Sequence, residues 1–481
     1  MKKILSLVVT LLLLIGCAGA PQPPQPSIPP GVEPIDLSLP SEGVGGNLAV
    51  RLFAPMLANR TYLAQGAPVV IEVPGGDTSG SLQIPRSQGL EGFVYIEFLF
   101  PGGRFEGRTS DGVYDHRGLN SIKALRDIVL FASGQKTDAQ GRTIDRIVRA
   151  PVLTQNVGLL TLSNGGAIAV VTLALYGEQL PNIKYFVDWE NPSNAQIVTT
   201  DPGPGANIDC PPSQGRPVGR QRFSNPYYRG YGPVVLDIDY SKIAYDASVD
   251  KLFIDGNKNG KYDTVTDSNG CRSADTNRNG KLDPDEDFGL SPMPYSAPGE
   301  KKHFSPQVIQ AVRDAKLFSS WPTWLDTPEE SQNFWQIRDA AQNYDALAKK
   351  HPDLKLLILT SVDDHVQTVL GKPHIRQPFE AFLRNKMWVK LNPSKASVSA
   401  VDQRLASRSD LPDNVPNAAP ADWNNYNYAY PENIPDPIFY AAAVREMAEQ
   451  VRASSIVTDS GSSKPWLASG TSPQRFLWII P

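Results

Sequence analysis

Two sets of residues in this sequence have types and spacings that can do chemistry. The first centres on one serine. Over residues 157–170 an apolar run of strand length reaches Ser163, passes Asn164, Gly165 and Gly166, and continues as small, helix-compatible residues towards Tyr176 and Gly177. Strand, tight turn and helix in that order hold a hydroxyl at the apex of a sharp bend, where it can attack an electrophilic carbon. The bend needs small residues two positions before and two after the serine, so that strand and helix can approach. Gly165 meets that need and Thr161 does not. An Asn-Gly turn between two buried elements would have the same composition.

The second set is rich in oxygen. Asp275, Asn277, Asn279, Asp283 and Glu286 fall at positions 1, 3, 5, 9 and 12 of an EF-hand-like loop, with Gly280 at position 6 and the carbonyl of Lys281 at position 7. Asp255, Asn257, Asn259, Lys261 and Asp263 repeat the pattern 20 residues earlier, with Thr266 at position 12 and Asp267 beside it as a substitute. An all-oxygen cage suits a hard cation, so two structural Ca2+ ions are expected, the first bound more weakly. Residues 250–254 have extended rather than helical character. The pair therefore resembles the calcium-binding repeats of secreted proteins, and not a helix-opening sensor. Asx-rich turns without metal would use the same residues.

These groups have to be positioned by regular elements. Strands are expected at 36–39, 48–53, 67–73, 93–100, 157–162, 183–189, 354–359 and 388–391, and helices at 120–132, 306–317, 328–350, 376–387 and 438–453. Alternating strands and helices predict an α/β fold, with a mostly parallel sheet covered on both faces. Ligands bind at the carboxyl ends of such strands. The loops at 74–80, 101–118, 163–166 and 361–367 all fall there.

On these residues the chain resembles the α/β-hydrolase fold, particularly its prolyl-oligopeptidase and esterase branches, over roughly 45–200 and 301–455. The resemblance implies Ser163 as nucleophile. It implies an oxyanion hole from the backbone N–H of Asn164 and one from Gly75-Gly76-Asp77, with Gly76 central. It places the acid in the turn Asp363-Asp364-His365-Val366, with Asp363 first and Asp364 second. The family's histidine belongs in the loop after the last strand, here 393–437, and that loop contains none. Of the five histidines, His351 precedes the acid strand and His303 lies at the edge of the calcium-binding segment; His116, His365 and His374 remain. A serine hydroxyl is a weak nucleophile until a base takes its proton. Two readings follow: a serine hydrolase of esterase or peptidase class, and an inactive hydrolase scaffold used for binding. In the second, Trp423, Tyr426, Tyr428 and Tyr430 would stack on a sugar or peptide.

The amino terminus sets the compartment. Lys2-Lys3, an apolar stretch over 4–15 and then Leu14-Ile15-Gly16-Cys17 resemble a bacterial lipoprotein signal peptide, with Cys17 as the acylated residue. More than one acyl chain would anchor it stably to the membrane. Ala18 and Gly19 follow, with no Asp, which favours the outer membrane in a diderm host. The expected organisation is a signal peptide at 1–16, a Pro-rich tether at 17–40, a first core half at 41–200, a calcium-binding insertion at 201–300 and a second core half at 301–481. Cys210 and Cys271 are the only other cysteines. As an even pair in an oxidising compartment they are expected to be bonded, closing a loop of about 60 residues worth about 4 kcal/mol. Formal charge is −4 and no basic cluster occurs, so nucleic acid is an unlikely partner.

Overall fold

The computed structural model describes residues 34–56, 66–83, 89–193, 208–209, 228–229, 235–236, 239–266, 272–278, 283–293, 301–362, 364, 366, 371–431 and 433–459. The expected signal peptide with Cys17, most of the tether, Cys210, Cys271, Asn279, Lys281, Asp363 and His365 lie outside these residues.

One sheet organises the chain. Its strands are β1 (Pro34–Ser41), β2 (Gly46–Phe53), β3 (Ala67–Val73), β4 (Val94–Phe98), β5 (Val152–Leu162), β6 (Ile183–Trp189), β7 (Lys355–Leu359) and β8 (Val389–Leu391), in the spatial order β1-β2-β4-β3-β5-β6-β7-β8. Only β2 runs against its neighbours; the pairs from β4 through β3, β5, β6 and β7 to β8 are all parallel. β1 begins at Pro34, so residues 34–40 are strand and not tether. Their alternation puts Leu37 and Leu39 on the buried face.

The central strands read as unbroken apolar runs because both faces are covered. Val69, Ile71 and Leu159 point into one core with the helices α1 (Leu119–Ala132) and α2 (Asn164–Tyr176). Val70, Leu160 and Leu357 point into the other, under the carboxyl-terminal helix Asp436–Asp459. Gly158 leaves room for the Tyr185 ring, which a Cβ there would meet at 2.0 Å.

Between β6 and β7 lies a smaller body with its own core. The antiparallel strands Ile243–Asp246, Lys251–Ile254 and Phe288–Gly289 pack Leu252, Ile254 and Phe288 against Val308 and Val312 of α3 (Pro306–Asp314). That core runs on to Leu325. The single helix expected over 328–350 is two: α4 (Pro328–Gln336) and α5 (Tyr344–Lys350). The break is forced by their different attachments. Trp335 of α4 donates its indole N–H to the Phe304 carbonyl (3.0 Å), whereas Tyr344 and Leu347 of α5 belong to the main core. α4 starts in a capping box made by Thr327 and Glu330.

Candidate active site

Ser163 joins β5 to α2. Its backbone is at φ 51°, ψ −124°, outside the regions that non-glycine residues favour. Its N–H donates to the Trp189 carbonyl (2.8 Å), and its own carbonyl accepts from Gly166 (2.8 Å). The two glycines are steric necessities. A Cβ on Gly165 would lie 2.3 Å from the Val73 carbonyl oxygen, and one on Gly166 2.2 Å from an Asp188 carboxylate oxygen. Thr161 is accommodated by a partner: its hydroxyl donates to Asp188 Oδ1 at 2.7 Å, the same oxygen that a Cβ on Gly166 would strike. Burial pushes the Asp188 carboxyl up to about 7, against the pull of that hydrogen bond.

The loop after β3 faces this turn. A Cβ on Gly75 would lie 2.5 Å from the Leu162 carbonyl oxygen and 3.1 Å from Ser163 Cβ, so glycine lets the two chains lie this close. Gly76 is at φ 65°. Buried Arg117 rivets the loop: its Nη2 donates to the carbonyls of Pro74 (2.8 Å), Gly75 (3.2 Å), Gly76 (3.3 Å) and Thr78 (3.2 Å), and its guanidinium lies 4.3 Å over the Phe100 ring. In a planar trans peptide the N–H points opposite the carbonyl. Collecting these carbonyls on one side therefore turns the N–H groups of Gly76 and Asp77 to the other. Asn164, the first residue of α2, offers its N–H at the positive end of the helix.

A serine held in strained backbone between a parallel strand and a buried helix, opposite a Gly-Gly loop, decides the architecture. This is an α/β-hydrolase fold. No family model matches the sequence, and no curated protein matches it. Among solved structures, a Pyrobaculum calidifontis esterase is similar at 18% identity over 35% of this chain and 48% of its own, with a TM-score of 0.26. A thermostable carboxylesterase from a metagenomic library gives 16%, 36%, 52% and 0.23. A Pyrococcus horikoshii acylaminoacyl peptidase gives 10% identity over 75% of this chain and 36% of its own, with a TM-score of 0.34. The matches thus span about half or less of those proteins, and at such scores they carry no part of the functional argument.

The other expected α/β-hydrolase residues are distributed unevenly. Asp364, the second choice for the acid, is buried: its Oδ1 accepts from the Val366 N–H (2.8 Å), while Oδ2 faces His374 Nε2 at 2.8 Å and Lys372 Nζ at 3.3 Å. His374 is fully buried in that cluster. His351 is tied to the Leu180 carbonyl at 2.9 Å. His303 pairs with Asp326 at 2.7 Å and stacks on Phe334, ring centres 3.8 Å apart. At the exit of β8, where the family's histidine loop begins, Asn392 exchanges hydrogen bonds with the backbone of Thr360 and donates to the Tyr428 carbonyl. Among the described residues no histidine is hydrogen-bonded to the Ser163 hydroxyl. Trp423, Tyr428 and Tyr430 are buried packing groups, which removes them as a stacking surface.

Spacing alone did not single out Asp77 as a partner, and the structure brings it to His116. His116 Nδ1 lies 2.9 Å from Asp77 Oδ2, and Tyr114 donates to Asp77 Oδ1 at 3.1 Å. Burial raises the Asp77 carboxyl, but the hydrogen bond from His116 and the nearby cations outweigh it and hold it low. His116, Asn164, Ala167, Ile168, Met293, Trp335 and Arg338 line one small cleft. Arg338 reaches in from the smaller body and donates to the carbonyls of Asp115 (2.5 Å) and His116 (2.6 Å). Glu190, also missed, is buried after β6 and accepts from the Ser361 N–H and hydroxyl.

In the oxygen-rich loops, Asp255 accepts from the N–H groups of Asn259 (3.1 Å) and Gly260 (2.8 Å), and the amides of Asn257 and Asn259 donate to Asp263. Glu286 closes the second loop, accepting from Thr276, Asn277 and Asp283. The first loop is closed by Asp287, which accepts from Gly256 (3.0 Å) and Asp263 (2.6 Å). Among the described residues no three acidic, histidine or cysteine groups converge closely enough to hold a metal ion.

Proposed function

We propose that this α/β-hydrolase-fold protein is a lipid-anchored, extracytoplasmic serine hydrolase of the esterase or peptidase class. The observation that carries the reading is Ser163, held at φ 51° on the elbow and packed against a Gly-Gly loop whose carbonyls are gathered by Arg117. In that setting the hydroxyl attacks a carbonyl carbon. The negative charge that forms on the carbonyl oxygen is met by the N–H groups of Asn164 and the 75–77 loop, the contribution that usually dominates acyl transfer. The test is labelling by a fluorophosphonate probe. Wild type should label and Ser163→Ala should not; equal signals from both would end the hydrolase reading.

A binding role for an inactive scaffold is favoured by one observation: Asn392 is committed to backbone pairing at the exit of β8, where the family's histidine loop begins. An unlabelled but folded wild type supports that reading.

The two oxygen-rich loops are proposed as structural Ca2+ sites. Their donors suit the ion: carboxylates of Asp255, Asp263, Asp275, Asp283 and Glu286, amide oxygens of Asn257, Asn259, Asn277 and Asn279, and the carbonyls of Lys261 and Lys281, with Asp287 added to the first loop. The Asn257 and Asn259 amide nitrogens that face Asp263 occupy the place of a positive charge. Turning each amide over presents oxygen instead, since the two ends of an Asn amide are nearly the same size. Cys17 is proposed as the acylated residue and Cys210–Cys271 as a disulfide tying the same insertion.

A further inference from the structure

We propose that the side chains of Lys372 and Asp364 condense to an isopeptide bond, with His374 moving the protons, so that the loop beyond β7 is closed covalently. The bond does not depend on Ser163 being catalytic.

The cluster is poorly accounted for as a simple ion pair. Lys372, Asp364 and His374 are all 0% exposed. Lys372 Nζ lies 3.3 Å from Asp364 Oδ2, yet among the described residues it makes no hydrogen bond. An ammonium has three donors to satisfy. A buried charge pair that leaves such donors unmet does not recover the cost of taking both ions out of water. Condensation removes the two charges and puts one neutral amide in their place.

The contacts around the carboxyl group supply what condensation requires. Asp364 Oδ1 accepts from the Val366 N–H at 2.8 Å, so a donor already faces the oxygen that gathers negative charge when the carbon is attacked. Oδ2, the oxygen that has to leave, faces His374 Nε2 at 2.8 Å as well as Lys372 Nζ. Against a carboxylate, Nε2 is the nitrogen that carries the proton, and the ring can hand that proton to the departing oxygen. The backbone bearing the ring is fixed by Ser193, whose hydroxyl donates to the His374 carbonyl at 2.8 Å.

The main chain gives an independent sign. Lys372 sits at φ 34°, ψ 68°, left-handed without being glycine, at the N-cap of the helix Pro373–Arg384. Such strain persists only where surrounding contacts impose it, and it concentrates at functional sites. Here it accompanies a long cationic side chain held wholly inside, its nitrogen beside Asp364 and 5.1 Å from the centre of the Tyr426 ring. Burial also keeps bulk water from the carboxyl carbon, and holding both reactants in one fold replaces a bimolecular encounter.

The step balances without any further reagent. The ammonium gives one proton to the carboxylate it faces, and the freed amine attacks Cγ. The C–N bond forms as the carbonyl π pair moves onto Oδ1. Return of that pair breaks the bond to Oδ2, which leaves as water while His374 Nε2 passes its proton to it and recovers one from the nitrogen. The three protons of the ammonium end as one on the amide and two in the water. Asp364 is then used up as a carboxylate, which leaves Asp363 of the same turn for the acid that the α/β-hydrolase resemblance implies.

The test is peptide mass on the purified full chain. Trypsin does not cut Lys372-Pro373, so a single peptide, 356–376, holds both residues. We expect wild type to give this peptide lighter by one water, with no backbone fragments from between Asp364 and Lys372, and Lys372→Arg to give it at the mass its sequence dictates. A wild-type peptide of full mass overturns the proposal and needs no variant to fold. A water-short peptide that persists in Lys372→Arg marks a cyclic imide of aspartate and overturns it too. His374→Ala should leave most of the peptide unlinked; complete linkage in that variant overturns the role given to the ring.

Discussion

Asp188 is a carboxylate under the elbow, 1% exposed, whose charge is costly there. Its carboxyl is pushed from the ordinary 3.8 up to about 7 by burial, a gap corresponding to about 4 kcal/mol at most. In the unfolded chain the group ionises near 3.8, while in the folded chain it keeps its proton until about 7. The folded state therefore holds the extra proton through that window, and Asp188 lowers stability as pH rises from about 4 to 7. Urea unfolding at pH 5 and pH 8 should show this fall in wild type and a flatter dependence in Asp188→Asn; parallel dependences would contradict the assignment. At this scale the sequence was legible where partners are close along the chain. Ser163, Asn164 and Gly165 are a local pattern, and even the misfit of Thr161 was visible, though not its answer in Asp188. Asp77 and His116 lie 39 residues apart and meet only because two loops leave the same end of the sheet. Nothing in either neighbourhood names the other.

The strands were the most readable elements, since burial on both faces selects apolar, β-branched runs bounded by Gly and Pro. The helix expected over 328–350 failed for a reason that periodicity cannot carry: its two halves serve different cores, and the chain breaks to reach both. The turns of the oxygen-rich loops, proposed above as Ca2+ sites, follow the spacing as far as their own residues go. Asp287 was not legible that way, because it belongs by position to the second loop and by contact to the first. Since Glu286 and Asp287 are adjacent, one dipeptide closes both loops. Ca2+ at about a hundred times its dissociation constant should stabilise by about 2.7 kcal/mol per ion. Melting in chelator and then in excess Ca2+ should show a midpoint several degrees higher with the ion, and Glu286→Gln with Asp287→Asn should remove most of the difference. Superimposable wild-type curves would rule out structural calcium.

For the whole molecule, the fold class followed from the alternation of strands and helices, because a parallel sheet needs crossovers and most crossovers are helical. The proposed attachment to the membrane is a separate matter, resting on the Gly16-Cys17 junction. Among the described residues no helix is long and apolar enough to cross a membrane. If Cys17 carries the proposed acyl anchor, Cys17→Ser should move the protein from the membrane to the soluble fraction on cell fractionation; unchanged partitioning would argue against acylation there. Arg338 has a consequence for anyone shortening this chain. It is held against the Phe334 ring at 3.6 Å, with His303 stacked on that ring too, so it belongs mechanically to the smaller body while its donors end on the strained 115–117 loop. Trimming away the region between β6 and β7 to obtain a minimal α/β core would withdraw that brace, and the loop would be free to relax into ordinary backbone angles. What looks like a removable appendage is, through one guanidinium, part of the cleft wall.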